Sequence, residues 1–404
     1  MNKSLLLLTD TFPFGNSEQF LETELPYLEK NFGSITIFPL ERGATQSRRE
    51  IPENISVLTP PLGRLKDRFS LILKGLFNLS PVLPFIKEGI RSGAFTNLGK
   101  LRRWGTHFLL VRQLLSGSFF KNNASFFSSF DVLYFYWGLR WSQILPFLPV
   151  KLRPAIAVRF HGSDLYEHTN DNYIPWRKEQ LEMTGTAIVI SETGAKYFND
   201  HYPWFNGRII ISRIGTDDRG INPYFRSETI RIVSCSNIVD VKRVDLLAQA
   251  ICCLDFKTEW IHFGDGPLRP GVDKVIATAP GHIRTRLAGK ISHDELMRYY
   301  GSVPIDLFVN VSSSEGVPVS VMEALSFGIP VVATNAGGTG ELVSVKVGAL
   351  IDTTAGPVEI ARIITSTVFS NDYYGKRLAA REQWSIMSQS GNVYPPFVLS
   401  LTTL

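Results

Sequence analysis

The sequence lacks several features that would assign a chain of 404 residues to a specialised class of protein. No apolar run approaches the roughly 20 residues that a membrane-spanning helix needs. Short-period repeats and low-complexity tracts are also missing, and a composition of 44% hydrophobic and 20% charged residues excludes disordered and fibrous proteins. The length therefore predicts a globular protein of two or three domains.

Cysteine is scarce. The chain has only Cys235, Cys252 and Cys253, an odd number without the spacing of a metal site or a thioredoxin motif. We interpret this as a reduced, cytoplasmic protein. The start of the chain has the short leucine run Leu5 to Leu8 but no small-residue cleavage site, so we expect a first buried strand there rather than a signal peptide.

Short apolar runs alternate with helical patterns almost from end to end. Apolar strands spaced by helices are typical of parallel sheets that helices cover on both faces. A single sheet of so many strands would be unusual, so the pattern predicts an α/β protein with two Rossmann-like domains. We expect the first domain over residues 1–214, the second over 215–375 with a hinge near 215–225, and a tail, 376–404, that packs back towards the first.

Positive charge is concentrated in one insert of the first domain, residues 62–121. The insert contains eleven lysines and arginines against two acidic residues, a net charge of +9, whereas the whole chain carries only +5. Apolar residues recur within it at helical spacing, at Leu65, Phe69, Leu73, Leu76 and Phe77 and again at Leu101, Trp104, Phe108 and Leu115. Basic amphipathic helices suit an anionic membrane surface, and the alternative is a pair of ordinary domain helices with a solvated basic face.

A loop and helix of the second domain carry candidate chemistry. Residues 312–318, Ser-Ser-Ser-Glu-Gly-Val-Pro, follow a predicted strand and lead into a helix that carries Glu323. Gly316 permits a tight backbone turn, and Pro318 suits the first turn of a helix. Free N–H groups at such a helix start can hold a phosphate. By themselves, Glu315 and Glu323 could equally be a surface glutamate and a helix-start glutamate.

This stretch, together with the following Gly328 to Ala333 and the turn Gly337-Gly338-Thr339-Gly340-Glu341, resembles the signature of retaining family-4 glycosyltransferases of the GT-B fold, the glycosyl transferases group 1. The family's other motifs occur in the same order, at His161-Gly162-Ser163-Asp164, Gly215-Thr216-Asp217, Lys242, Gly264 to Pro267, and Gly289 with His293 to Leu296. The resemblance implies two Rossmann-like, doubly wound domains that face a central cleft.

The resemblance also implies roles for individual residues. Glu315 is expected to contact the hydroxyls of the donor sugar, Lys242 to neutralise the departing diphosphate, and His161 to lie beside the reacting sugar carbon. Asp164 either orients His161 or caps the next segment. The donor-binding residues implied are Glu323 at the ribose hydroxyls, with Gly316, Val317, Pro318 and Val319 around the diphosphate, and Gly15 in the turn after the first strand, which is otherwise a plain βα turn.

Two positions near Lys242 depart from the family pattern. The family usually has an arginine five positions before this lysine and a glycine directly after it, where this chain has Asn237 and Arg243. Losing the arginine weakens the expected grip on the diphosphate, and Arg243 is a candidate to restore the charge. We include both residues in the predicted donor site.

Together these observations predict a retaining glycosyltransferase of the hexosyl type that needs no metal ion and no cofactor. Its substrates would be a UDP- or GDP-linked sugar and a hydroxyl of a lipid-linked glycan, in bacterial surface polysaccharide or lipopolysaccharide synthesis. Its location would be cytoplasmic, on the inner face of the plasma membrane through residues 62–121, without a nucleic-acid partner. The alternatives are a soluble acceptor, or an inactive scaffold that binds polyanions.

Overall fold

The computed structural model describes residues 3–15, 18–42, 48–62, 82–117, 119–120, 125–148 and 154–404. These residues form two units. The first comprises residues 1–190, 194–212 and 394–404, and the second comprises residues 191–193 and 213–393. The division falls between Ser212 and Arg213, and the predicted tail is shared, because residues 376–393 lie in the second unit and residues 394–404 in the first.

The first unit contains a seven-stranded parallel sheet with the strand order β3-β2-β1-β4-β5-β6-β7. The interior strand β1 has no exposed side chain from Leu5 to Leu8, as expected of a strand covered on both faces. In register, Leu5 pairs with Ile35 on one side and with Val132 on the other. The strands are β1 (Ser4–Thr9), β2 (Ser34–Pro39), β3 (Ile55–Val57), β4 (Val132–Phe135), β5 (Ala155–Phe160), β6 (Thr186–Val189) and β7 (Arg208–Ile211).

Helices on this sheet bury an apolar core to which β1, β2, β4, β5 and β6 all contribute. The two described helices of the basic insert belong to it, since Phe85, Val111 and Leu114 are buried in the same core. The helices are α1 (Phe20–Asn31), α2 (Val82–Arg91), α3 (Leu98–Ser116), α4 (Gly162–Leu165), α5 (Arg177–Met183) and α6 (Glu192–His201). The predicted apolar positions Leu65 to Phe77 lie outside the described residues.

The second unit contains a six-stranded parallel sheet with the strand order β10-β9-β8-β11-β12-β13. Its strands are β8 (Ile230–Cys235), β9 (Thr258–Phe263), β10 (Ile283–Gly289), β11 (Leu307–Asn310), β12 (Val331–Thr334) and β13 (Gly348–Ile351). Its helices are α7 (Val244–Cys252), α8 (Arg269–Ile276), α9 (His293–Ser302), α10 (Val319–Ser326), α11 (Thr339–Leu342), α12 (Pro357–Val368) and α13 (Tyr373–Met387). A last helix, α14, covers Ser390–Thr402.

The prediction of two Rossmann-like parallel sheets is confirmed. Only the short outer strands β3 and β13 were not anticipated. In each sheet the chain starts at a central strand, adds strands to one side and then returns to the other, so the order reverses between β1 and β4 and between β8 and β11. In open α/β sheets, ligands bind beyond the carboxyl ends of the strands at such a reversal.

A buried ion pair ties α1 to the sheet of the first unit. Arg159 on β5 donates to Glu24 on α1 at 2.7 Å, and both side chains are 0% exposed. The hydroxyl of Tyr134 donates to the same carboxylate at 2.9 Å, and Arg159 also donates to Ser212 at 2.7 Å. The guanidinium lies 4.7 Å from the ring centroid of Phe397 on α14. Because both charges are out of water, each is tolerated only while the other is present.

We therefore predict that Glu24→Met destabilises the first unit by about 3–5 kcal/mol, since it leaves the Arg159 charge buried without a partner. The double variant Glu24→Met with Arg159→Met should recover at least half of that loss, because no buried charge remains. Urea unfolding followed by circular dichroism measures both.

Asp200→Asn is the matched control, since the Lys196–Asp200 pair at 2.6 Å is exposed on both sides. It should change the free energy of unfolding by less than about 1 kcal/mol. A double variant less stable than Glu24→Met alone would contradict the prediction.

Candidate functional site

An ion pair lies at the strand reversal of the second unit. Lys242 ends a short 3₁₀ turn (Asp240–Lys242) after β8, and Glu315 lies in the loop after β11. The Nζ of Lys242 is 2.5 Å from Oε1 of Glu315, and the two side chains are 25% and 11% exposed. Asn310, at the end of β11, donates to the same oxygen at 3.3 Å. Adjacent strands thus bring together two residues that are 73 positions apart and that the sequence predicts to act on the same donor.

The loop that carries Glu315 is held by the glycine pair of the following turn. Gly337 has a φ of +55°, and a Cβ there would lie 1.8 Å from the carbonyl oxygen of Glu315. The N–H of Gly338 donates to the carbonyl of Gly316 at 2.6 Å. On the other side, the N–H of Ser313 donates to the carbonyl of Val241 at 2.8 Å. The backbone of the loop is therefore fixed from both sides, which limits where the carboxylate of Glu315 can lie.

The backbone N–H groups that are predicted to bind the diphosphate lie at the start of α10. Pro318 occupies the position before the helix, and Val319 is its first helical residue. The first N–H groups of a helix have no intrahelical acceptor, so they remain available to a ligand. Gly316 and Val317 are partly exposed just before this helix start. Their contact with a diphosphate stays a prediction.

Glu323 lies on α10 and is 8% exposed. Its Oε1 is 2.8 Å from Nε2 of His293, the first residue of α9. This hydrogen bond raises the pKa of His293 above its ordinary value, against a smaller opposing effect of burial. The contact of Glu323 with a ribose stays a prediction. The hydrogen bond with His293 orients the carboxylate of Glu323.

Asn237 and Arg243 have different surroundings. Asn237 is exposed after β8. Arg243 has a φ of 48° and donates through Nε to the carbonyl of Val311 at 2.7 Å and through Nη1 to that of Thr353 at 2.6 Å. Its guanidinium thus braces the loops after β11 and β13. Contact of Asn237 or Arg243 with a donor remains a prediction.

In the first unit, His161 follows β5 and is 6% exposed. Its Nε2 lies 3.1 Å from the carbonyl of Tyr136, and since a carbonyl can only accept, this nitrogen carries the proton. Burial, with a smaller contribution from Arg159, lowers the pKa of His161 to about 3, so the ring is neutral at physiological pH. The ring centroid of Trp137 is 4.3 Å away. The side chain of His161 also accepts from the backbone N–H of Asp164, and since Nε2 carries the proton, Nδ1 is the acceptor.

Asp164 forms a reciprocal capping box with His161. It accepts from the N–H of His161 at 2.5 Å and from that of Gly138 at 2.7 Å, which joins the segments after β5 and β4. Burial raises the pKa of Asp164 to about 7 despite these donors. The contacts of Asp164 fit both of the roles left open for it, because the capping box caps α4 and also holds the side chain of His161.

Gly15 lies in the turn after β1, has a φ of 72°, and accepts from Nε of Arg49 at 3.0 Å. Glu18 organises this turn. Its carboxylate accepts from the N–H groups of Asp10, Thr11 and Phe12 at 2.7–2.8 Å and from the indole of Trp137 at 2.7 Å. Because the ring of Trp137 packs against that of His161, Glu18 also helps to position His161.

Sequence reasoning did not assign roles to Glu18, Asn310 or His293. His293 was part of a recognised motif, which could have suggested its partner. Glu18 stood in the recognised turn, but its backbone contacts depend on a φ of 58° that no sequence pattern specifies. Asn310 was only the last residue of an apolar strand.

The described helices of the basic insert are partly neutralised. Arg91 pairs with Glu179, Arg103 with Asp171 at 2.6 Å, and Arg112 is buried. Within the described part of the chain, no ion pair involves Lys87, Lys100 or Arg102. Apolar side chains stand exposed on the same helices, at Leu83 (70%), Ile90 (68%) and Leu98 (82%).

Among the residues that the structure describes, no helix combines the length and the apolar character needed to cross a membrane. No group of three or more His, Cys, Asp or Glu side chains in these ranges could hold a metal ion. The expected independence from metals stays a prediction.

Comparison with known proteins gives a match to the family Glycosyl transferases group 1 over residues 229–368. This segment contains Lys242, Glu315 and Glu323, and it lies wholly in the second unit.

Two relatives match part of the chain in sequence. The sulfoquinovosyl transferase SQD2 of Arabidopsis thaliana is 32% identical over 141 residues, which are 32% of this chain and 26% of that protein. The putative teichuronic acid biosynthesis glycosyltransferase TuaC of Bacillus subtilis is 34% identical over 110 residues, which are 27% of this chain and 26% of that protein. The chain thus spans about a quarter of the length of these relatives.

Similarity of structure extends over both units. HepE of Anabaena, solved in complex with UDP, superimposes with a TM-score of 0.65 at 16% identity, covering 99% of this chain and 100% of that one. The same protein has also been solved with UDP-glucose. At this identity the likeness shows the fold, and the predicted GT-B architecture of two Rossmann-like domains is confirmed.

We predict that Gly337→Ala destabilises the second unit by about 1–3 kcal/mol. The added Cβ meets the carbonyl of Glu315, and an alanine is strained at this positive φ. Urea unfolding measures the change.

Gly281→Ala is the control, because no atom lies within 4 Å of a Cβ added there. It should alter the free energy of unfolding by no more than about 0.5 kcal/mol. Equal urea midpoints for the two variants would show that the turn does not brace the Glu315 loop.

Proposed function

We propose that this protein is a retaining glycosyltransferase that moves a sugar from a nucleoside diphosphate to a hydroxyl of a glycan. The observation that carries the proposal is the Lys242–Glu315 pair at the strand reversal of a glycosyl transferases group 1 segment. The relative TuaC, named for teichuronic acid biosynthesis, supports a glycan of a bacterial surface polysaccharide or lipopolysaccharide.

The second unit would bind the donor. Lys242 offers a cation to the diphosphate, and the N–H groups at the start of α10 offer additional donors. Glu315 and Glu323 are carboxylates that can each accept two hydrogen bonds from neighbouring hydroxyls, of the sugar and of the ribose respectively. The complexes of HepE with UDP and with UDP-glucose support a uridine nucleotide, with a GDP-linked sugar as the alternative.

Chemistry would proceed at the front face of the sugar. As the bond to the diphosphate breaks, negative charge grows on the leaving oxygen, and Lys242 would stabilise it without a metal ion or a cofactor. The leaving phosphate would accept the proton of the acceptor hydroxyl, so the new bond forms on the face that the diphosphate leaves. The neutral His161 would lie beside the reacting sugar carbon, and the turn at Gly15 would lie near the diphosphate.

The first unit would bind the acceptor, which we propose is lipid-linked. On α2, Leu83, Ile86, Lys87 and Ile90 recur at intervals of three and four and therefore share one face. This exposed face is apolar and basic together, which suits the surface of an anionic membrane at the cytoplasmic side.

We predict that one of UDP, GDP and ADP binds measurably to the purified chain in the presence of a chelator. Lys242→Ala should weaken this binding about tenfold or more, because a charge-assisted contact to phosphate is lost. Glu315→Gln should abolish sugar transfer and leave nucleotide binding within about threefold. Isothermal titration calorimetry and donor turnover are the measurements.

Lys257→Ala is the matched control, since Lys257 forms a similar pair with Glu228 at 2.9 Å on the surface of the same unit. Its nucleotide affinity should equal that of the unaltered protein. If no nucleotide binds, the proposal fails and the inactive, polyanion-binding scaffold takes its place.

For the membrane surface, we predict that Leu83→Ser with Ile90→Ser reduces binding to vesicles containing phosphatidylglycerol about tenfold, because two exposed apolar anchors are lost. Co-sedimentation with vesicles measures it. Val358→Ser with Leu378→Ser, at comparably exposed positions of the second unit, should leave binding unchanged. Equal binding by both double variants would count against membrane contact through α2.

A further inference from the structure

A cavity of about 840 Å³ lies in the first unit, and none of the residues assigned above to the donor lines it. One wall is a single face of α3, where lining residues recur at intervals of three and four from Arg102 to Gln113. The other walls are the segments 139–143 after β4 and 170–175 after α4. We call it the α3 pocket. Its volume falls in the range of roughly 300–1,000 Å³ typical of small-molecule sites.

Basic side chains outnumber acidic ones in the lining of the α3 pocket. Three arginines line it, Arg102, Arg103 and Arg140, against the single acidic residue Asp171. Asp171 pairs with Arg103 at 2.6 Å, and Arg140 pairs both with Asp10 and with Glu41 at 3.1 Å. Arg102 forms no ion pair within the described ranges of the chain. A guanidinium matches the geometry of a phosphate group, so Arg102 can bind one without first giving up a carboxylate.

Its remaining surface is mainly apolar. Leu109, Leu110, Leu139, Ile174 and Pro175 line it. Free phosphate or a nucleotide diphosphate would gain no binding free energy from an apolar surface. A hydrocarbon chain would gain about 25 cal/mol of binding free energy for each Å² of apolar surface that it buries there.

His107 adds a second kind of observation. It lines the α3 pocket and is 4% exposed, and neither ring nitrogen has a hydrogen-bond partner among the described residues. Burial lowers the pKa of His107 to about 3, so the ring is neutral. Unsatisfied buried polar atoms are rare in folded proteins, and one beside a cavity is a candidate to be satisfied by the cavity's occupant.

We propose that the α3 pocket binds the phosphate group and the adjoining hydrocarbon of a lipid-linked acceptor. The inference rests on the proposed function, because only a transferase would use this molecule as an acceptor. The phosphate would lie at Arg102 and the first carbons of the chain against Leu109 and its apolar neighbours. The acceptor is thereby a phosphate-bearing lipid and not a neutral one.

The test uses calorimetry on the full chain with three probes: dihexanoyl phosphatidic acid below its micelle concentration, dihexanoylglycerol, and inorganic phosphate. We expect saturable one-to-one binding of the phosphatidic acid, about tenfold or more tighter than that of either other probe. Equal affinity for inorganic phosphate would reduce the pocket to an anion site, and equal affinity for the neutral lipid would remove the role of the arginines. Either result overturns the proposal.

Matched variants on α3 decide whether the pocket is the site. Arg102→Glu and Leu109→Glu should each weaken phosphatidic acid binding about tenfold. Lys100→Glu and Leu98→Glu make the same kinds of change on the same helix outside the pocket, and they should leave the affinity unchanged. If all four variants weaken binding equally, the lipid adsorbs to the helix surface and the proposal fails.

Nucleotide binding by the same preparations separates this proposal from the proposed function. Lys242→Ala should lose nucleotide affinity and retain the lipid phosphate, whereas Arg102→Glu should do the reverse. Nucleotide binding without lipid binding would overturn the α3 pocket alone. Lipid binding without nucleotide binding would overturn the transferase and with it the acceptor role, leaving a lipid-binding protein.

Discussion

All strand pairings within both sheets are parallel, and the placement of the candidate chemistry depends on this constraint. Parallel strands need a crossover for each connection, so all their carboxyl ends meet at one edge of the sheet. Residues far apart in sequence then become neighbours wherever the strand order reverses. Lys242 and Glu315 meet in this way after β8 and β11, and the Gly15 turn and Trp137 meet after β1 and β4 through Glu18.

The Lys242–Glu315 pair has a consequence for donor binding. Both side chains are only partly exposed, so water cannot fully solvate the charge of either residue when the ion pair is broken. A nucleotide sugar offers a partner to both at once, because its diphosphate can accept from the lysine and its hydroxyls can donate to the carboxylate. The ion pair can therefore separate on binding such a ligand, because each of the two charges gains a new partner. A ligand with only a phosphate or only a sugar would satisfy just one of them.

The sequence predicted the sheets well, because the core strands are continuous apolar runs and have few alternatives. It missed β3 and β13, which are three and four residues long and lie at sheet edges. The loop around Glu315 and the glycines at 337–338 follow from the resemblance to the family signature. The structure adds the reason for the glycines, since a Cβ at 337 would lie 1.8 Å from the carbonyl oxygen of Glu315 and one at 338 would lie 2.7 Å from that of Gly316. What the sequence could not supply is side-chain direction. Arg243 satisfies loop carbonyls and Asp164 satisfies backbone N–H groups, and neither contact leaves a pattern in the sequence.

The charge distribution of the basic insert also depends on side-chain directions that the sequence does not reveal. Counting residues gives a net +9, but the fold directs Arg91 and Arg103 to carboxylates of other segments and buries Arg112. Among the described positions of the basic insert, the lysines and arginines that are not buried and form no ion pair are Lys87, Lys100 and Arg102. Two of these stand beside exposed leucines and isoleucines on α2 and α3, whereas Arg102 lines the α3 pocket. The unpaired charge is thus divided between an exposed surface suited to lipid headgroups and a pocket suited to a single phosphate, which is the division that a lipid-linked acceptor would require.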